Sequence, residues 1–168
     1  QDGAGIFVNM NSITALNKVR VDSNFANGAG GGIYNDGSLN LQRSTISNNQ
    51  AGVIFNGGGI YNASNGSMDI SNTTFSKNRA AKGGGIAQEG GLTEVVNATL
   101  TENEASTSGG GIHATTQISL LNTVVAGNTS DASFDDLSAF NYPFNSIGHN
   151  AIGDTSGSYW TPANGDIL

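Results

Sequence analysis

Apolar residues recur along this chain in short alternating runs, separated by steps rich in glycine, asparagine and serine. One apolar position closes a glycine block. Ile33, Ile60, Ile86 and Ile112 each follow Gly-Gly-Gly, and Ile6 follows the looser Gly3-Ala4-Gly5. The steps between these isoleucines are 27, 27, 26 and 26 residues. A second pattern lies midway between the blocks and reads apolar-x4-apolar-x2-Asn-x-small. Its copies run from Leu16 through Val21 to Asn24 and Ala26, and from Leu41 through Ile46 to Asn49 and Ala51. Three more run from Ile70, Val95 and Leu120 through Phe75, Leu100 and Val125 to Asn78, Asn103 and Asn128. These asparagines step by 25, 29, 25 and 25, so two independent markers share one period.

A fixed period of this size signals a solenoid, propeller or array. Alternation over three to five residues between glycine and asparagine predicts short strands. No stretch carries apolar residues at i, i+3, i+4 and i+7 between caps, so helices are not expected. The pattern predicts an all-β, right-handed parallel β-helix with about five coils of 25–29 residues and an irregular terminal coil. Residues 1–168 form one domain, with regular coils over 1–128 and a terminal coil or cap over 129–168. Each coil adds one strand to each sheet at about 4.8 Å.

The columns then acquire roles. The isoleucines form one inward ladder, and Val21, Ile46, Phe75, Leu100 and Val125 form another. An apolar column of Ile13, Leu39, Met68 and Ile118 precedes them. The asparagines mark a corner, where an amide tolerates a tight turn and can bond to the neighbouring coil. The period breaks after Asn128. Ile147 and Ile152 look like a last irregular coil, and Trp160 and both prolines, Pro143 and Pro162, fall in this tail. An atypical terminal repeat is expected where a core must be capped. The first coil has no such cap, so its open strand edges would support end-to-end self-association.

Composition changes the picture little. Only 11% of residues are charged, the net charge is −7, and there is no cysteine. Six basic residues and none after Lys82 argue against nucleic acid. No apolar run is long enough to insert in a membrane as a helix. The acidic, Asn/Thr/Gly-rich make-up fits an extracellular or cell-surface setting, and Gln1 fits either the residue left by cleavage of a signal peptide or an arbitrary boundary of the sequence.

The tandem Gly-Gly-Gly-Ile-Tyr-Asn at residues 30–35, with Ser-Thr-Ile-Ser-Asn-Asn at 44–49, resembles the right-handed parallel β-helix repeats of bacterial surface proteins. These include polymorphic outer-membrane protein repeats. The resemblance covers nearly the whole chain and implies an adhesive or structural surface role without a shared catalytic motif.

Three sets of residues could carry chemistry. Asp135, Asp136 and His149 resemble the acid, base and histidine of β-helix polysaccharide hydrolases, although a third aspartate and a downstream basic pair are missing. Capping turns are the favoured reading of the same residues. Asp131, Asp135, Asp136 and Asp154 offer the hard oxygens that calcium takes, but no calcium-loop motif surrounds them, and no other cofactor is implied. Thr45, Ser47, Thr74, Ser76, Thr99 and Thr101 flank the second inward ladder. Alternation turns them outward as two hydroxyl files that could match a polysaccharide or an ice lattice. Finally, Tyr34 and Tyr61 follow the glycine-block isoleucines and could stack on sugar rings or lie under a loop. The favoured function is a non-catalytic surface domain; a polysaccharide hydrolase or lyase and a lattice binder are the alternatives.

Overall fold

The computed structural model describes residues 2–132, 134–141 and 144–168; Gln1 and Pro143 lie outside them. The chain winds through six turns and builds three parallel six-stranded sheets. The first sheet stacks Ile6–Val8, Ile33–Asn35, Ile60–Asn62, Ile86–Gln88, Ile112–Ala114 and Leu137–Ala139. The second stacks Ile13–Asn17, Ser38–Gln42, Ser67–Ser71, Thr93–Val96, Ile118–Leu121 and Asn145–Gly148. The third stacks Arg20–Asp22, Thr45–Ser47, Thr74–Ser76, Thr99–Thr101, Val124–Val125 and Ala151–Ile152. A short fourth sheet, Arg79–Lys82, Glu104–Ser108 and Thr129–Ser130, links the third to the first. No helix occurs among the described residues. The architecture is the parallel β-helix expected, with one more full turn than the five counted from the repeats.

Register follows from burial. Ile6, Ile33, Ile60, Ile86 and Ile112 pair in one column, and Leu137 adds a sixth rung. Val21, Ile46, Phe75, Leu100, Val125 and Ile152 form the second. A one-residue slip would turn every one of these side chains to solvent, so the repeat leaves the strands no alternative. Most of these side chains are fully buried. Ala26, Ala51, Ala80 and Ala105 line the narrow wall beneath the fourth sheet, all 5% exposed or less.

Ile13, expected in an inward column, and Ile147, expected in the last irregular coil, point outward. Ile13 pairs with Ser38 and is 88% exposed; the inward column is Thr14, Leu39, Met68, Thr93 and Ile118. Ile13 lies three residues before Leu16, whereas Leu39, Met68 and Ile118 each lie two before the next apolar position, so Ile13 falls one residue out of phase. Ile147 sits in a bulge, because Ser146 pairs with Leu120 while Gly148 pairs with Leu121. The extra residue has no rung to join and lies half-exposed.

The glycine blocks are explained by the next turn's backbone. A Cβ built on Gly84 would lie 2.5 Å from the carbonyl oxygen of Glu104 and 2.6 Å from that of Gly110. The first glycine of each block has a different reason: Gly30, Gly57, Gly83 and Gly109 have φ between 62° and 72°, where a side chain is strained.

Candidate functional site

The corner asparagines form a directional ladder. Both the backbone N–H and the Nδ2 of Asn24 donate to Oδ1 of Asn49, at 3.1 and 2.9 Å. Asn49 donates in the same way to Asn78, Asn78 to Asn103, and Asn103 to Asn128. Each of Asn49, Asn78, Asn103 and Asn128 also donates Nδ2 to a strand carbonyl one turn back. All four are buried, so these bonds satisfy polar groups that water cannot reach.

Every rung donates toward the later turns, so Asn128 needs an acceptor from beyond the last asparagine. Asp136 supplies it. Its Oδ1 accepts the backbone N–H of Asn128 at 3.0 Å and the Nδ2 at 2.7 Å. Asp136 occupies the slot filled by Gly111 one turn earlier, since Leu137 pairs with Ile112. A Cβ on Gly111 would run into Nδ2 of Asn128, the asparagine of the following turn. After Asn128 that place is vacant, and the Asp136 carboxyl enters it. A charged acceptor then faces two aligned donors, the stronger form of the hydrogen bond. Burial pushes its carboxyl up, against the lowering bonds from Asn128.

A second ladder runs along the corner between the second and third sheets, and sequence reasoning missed it. The backbone N–H of Val19 donates to Ser44 Oγ, that of Ser44 to Thr73 Oγ1, and that of Ala98 to Thr123 Oγ1. The N–H of Thr123 donates to Asn150 Oδ1, and that of Asn150 to Asp166 Oδ1 at 2.8 Å. The side chains differ at each rung, so only a shared small polar character could have signalled it. Asp166 closes this ladder as Asp136 closes the first.

Burial pushes the Asp166 carboxyl up, but bonds from Ser146, Asn150 and Ala163 outweigh it and hold the group below the ordinary carboxylate range. A depressed pKa contributes stability above the unfolded value, about 3.9, which is lost as pH falls through the folded value. Asp136, shifted upward, contributes in the opposite sense, below its unfolded value and less as pH rises. Asp166→Asn should therefore be less stable than the parent at neutral pH and converge with it below about pH 4. Thermal melts across that range check this; an unchanged acid slope would remove Asp166 from the account.

These roles bear on the hydrolase and calcium candidates. Asp135 accepts the N–H of Ser130, and Asp154 accepts the N–H groups of Asp135 and Ser156. His149 is exposed at the corner after Asn145–Gly148, with φ 57°. Asp136 stands at the corner before Leu137–Ala139, so the third sheet separates the two. The fold does not bring His149 to the aspartate pair. Asp131 is exposed. Among the described residues no three His, Asp or Glu side chains converge on a metal position.

The aromatic file is stacked on itself. The rings of Phe7 and Tyr34 lie 4.9 Å apart and parallel within 2°, and Tyr61 follows at 5.2 Å. Neighbouring rings thus cover the faces a sugar would need. Tyr61 also donates its hydroxyl to Glu89, whose other oxygen accepts Asn56, so a bridge from both corners crosses it. Farther along this file His113 is buried and its pKa is pushed down to about 4 by burial, with Lys82 adding to the effect. Its Nδ1 lies 3.2 Å from Ser138 Oγ.

The hydroxyl files fall on the third sheet in register. Thr45, Thr74 and Thr99 pair directly, as do Ser47, Ser76 and Thr101. Ser47 is buried and donates to Asp22 at 2.6 Å. That bond, with others from Asn48, Ser23 and Arg20, holds the Asp22 carboxyl far below its usual range. The file ends at Arg20 and Asp22 on one side and at Val124 and Ala126 on the other.

Residues 72–89 match the model of the Chlamydia polymorphic membrane protein (Chlamydia_PMP) repeat. The matched segment runs from the turn before Thr74–Ser76, through Asn78 and the third glycine block, to the strand Ile86–Gln88. Neither the curated proteins nor the solved structures give a match. The chain is thus a parallel β-helix with a repeat similar to that of the Chlamydia polymorphic membrane proteins, a family of the bacterial surface.

Proposed function

We propose that this chain is a non-catalytic segment of a bacterial surface protein, and that the third sheet is its contact face for a regularly repeating hydroxylated polymer. One observation carries the reading. The hydroxyls of Thr45, Thr74, Ser76, Thr99 and Thr101 lie in two files at strand spacing, about 4.8 Å, and make no hydrogen bond among the described residues. Every inward hydroxyl of the second ladder, by contrast, is engaged. Side chains this short have little rotamer freedom to lose on binding, so an array of weak contacts can add up. A non-catalytic role is supported by the engagement of Asp136 in closing the asparagine ladder and of Asp135 with the Ser130 N–H.

The test is retention on insoluble polysaccharides, with cellulose, chitin and cell-wall sacculi as probes. Thr74→Lys/Thr99→Lys places two charges on the face without touching the core. The parent protein should be retained, and the double variant should lose about tenfold in apparent affinity. Inhibition of ice recrystallisation without polymer binding would assign the face to an ice lattice instead. Retention that the double variant leaves unchanged would move the contact off this sheet.

A further inference from the structure

The corner asparagines have flanking residues that point outward, and these make the walls of a trench. Asn48, Lys77 and Glu102 stand on one side; each has left-handed φ, between 54° and 57°, which turns the chain out of the third sheet. Gln50, Arg79 and Glu104 stand on the other, in register through the fourth sheet. Between the walls lies a groove of about 400 Å³ running along the rod axis.

Charge is arranged across this groove by turn. One turn contributes two amides, the next two cations and the next two carboxylates, each pair facing across the floor. Along each wall cation meets anion: Lys77 Nζ lies 3.5 Å from Glu102, and Arg79 Nη2 lies 3.1 Å from Glu104. All four side chains remain 41–62% exposed, so solvent and ligand can reach them.

A lone anion over Lys77 and Arg79 would be repelled by the carboxylates one turn away. It would also meet a field set by nine acidic residues and no basic one after residue 83. A lone cation over Glu102 and Glu104 would meet the cationic row. Repulsion of this kind gives specificity as effectively as attraction. A group that carries both charges, separated by about the 4.8 Å between turns, meets an opposite pair at each level.

We propose that this trench is a binding site for a zwitterionic group, with its anionic oxygens between Lys77 and Arg79 and its ammonium between Glu102 and Glu104. Asn48 and Gln50 extend the groove with neutral amides, which suit a hydroxylated continuation of the same ligand. The site is distinct from the hydroxyl files, and its failure or success leaves the reading of the third sheet untouched.

O-Phosphoethanolamine is the probe, with inorganic phosphate and ethanolamine as its two halves, titrated at low salt by calorimetry and by NMR shifts at residues 77–79 and 102–104. The whole probe should bind about tenfold more tightly than either half. Glu102→Gln/Glu104→Gln should weaken phosphoethanolamine about tenfold and leave phosphate binding equal or stronger. Lys77→Gln/Arg79→Gln should abolish binding of both. Thermal melts establish that these exposed changes leave the fold intact. The same group coupled to dextran separates a polymer-borne ligand, bound more tightly, from a free one, bound equally. Equal affinity for phosphoethanolamine and phosphate, or no effect of the glutamine pair, overturns the proposal.

Discussion

Asn78→Ala should lower the stability of the rod by about 4 kcal/mol, the largest loss expected from removing a single polar side chain here. The substitution removes the acceptor of the Asn49 N–H and Nδ2 together with the donor to Ile46 O and Asn103 Oδ1. Asn78 has no exposed surface, so the groups left behind cannot turn to bulk water. Each orphaned buried group costs about 1–3 kcal/mol, partly offset by any water the small cavity admits. For a chain of this size that corresponds to a fall in melting temperature of about 10 °C. Asn40→Ala, on an outward strand position with no side-chain bond among the described residues, should stay within about 0.5 kcal/mol. Hydrogen exchange at Asn49 and Asn103 would show the loss concentrated on the two adjacent rungs, because each turn is stabilised mainly by its neighbours. A loss below about 1 kcal/mol would mean that the ladder sets register without stabilising the fold.

Gly84→Ala should be as severe, for a reason unrelated to hydrogen bonding. The added methyl would sit 2.5–2.7 Å from three backbone atoms of Glu104 and Gly110. Backbone atoms held by strand pairing cannot move aside singly, so the turns must separate. Overpacking of this kind costs about 3 kcal/mol or more. Gly91→Ala is the control: its nearest neighbour is the carbonyl of Gly66 at 3.3 Å, and the change should cost less than about 1 kcal/mol. Melting temperature and soluble yield of the pair decide the matter. Equal behaviour would mean that the glycine blocks answer to chain entropy or folding rate, and not to contact between turns.

Much of this architecture was legible because a solenoid repeats its constraints. Ile86 and Asn78 each appear once per turn, so their spacing alone locates the first sheet and its corner. Thr45, Thr74 and Thr99 were likewise readable as one file, since equal offsets from the inward ladder place them on one strand position. What was hidden is what happens once. Asp135 and Asp136 read as capping-turn residues, with an acid pair beside a histidine as the alternative; their place at the end of the asparagine ladder was not legible, because sequence spacing does not reveal that they stand in glycine slots. In the earlier turns the next turn's carbonyl oxygen and the asparagine amide both crowd that slot, whereas beyond Asp136 lies Gly153, which has no side chain, and the Asp136 carboxyl uses the space. The second ladder was hidden for the opposite reason: serine, threonine, asparagine and aspartate do the same job at successive rungs, so no single residue type repeats. The trench was hidden because its walls hold amides, cations and carboxylates in turn, which looks like random surface until the turns are stacked.

The backbone bonds of all the sheets run between turns, parallel to the rod axis. Tension applied along that axis would load the bonds of one turn at a time, so the rod would yield like a zipper and not like a clamp. A released turn of about 26 residues, at about 3.3 Å per extended residue, lengthens the tether by about 85 Å where the folded turn spanned about 4.8 Å. On a cell surface such a rod would pay out slack in discrete steps under drag. The buried asparagine of each turn would be the catch that sets the force of each step.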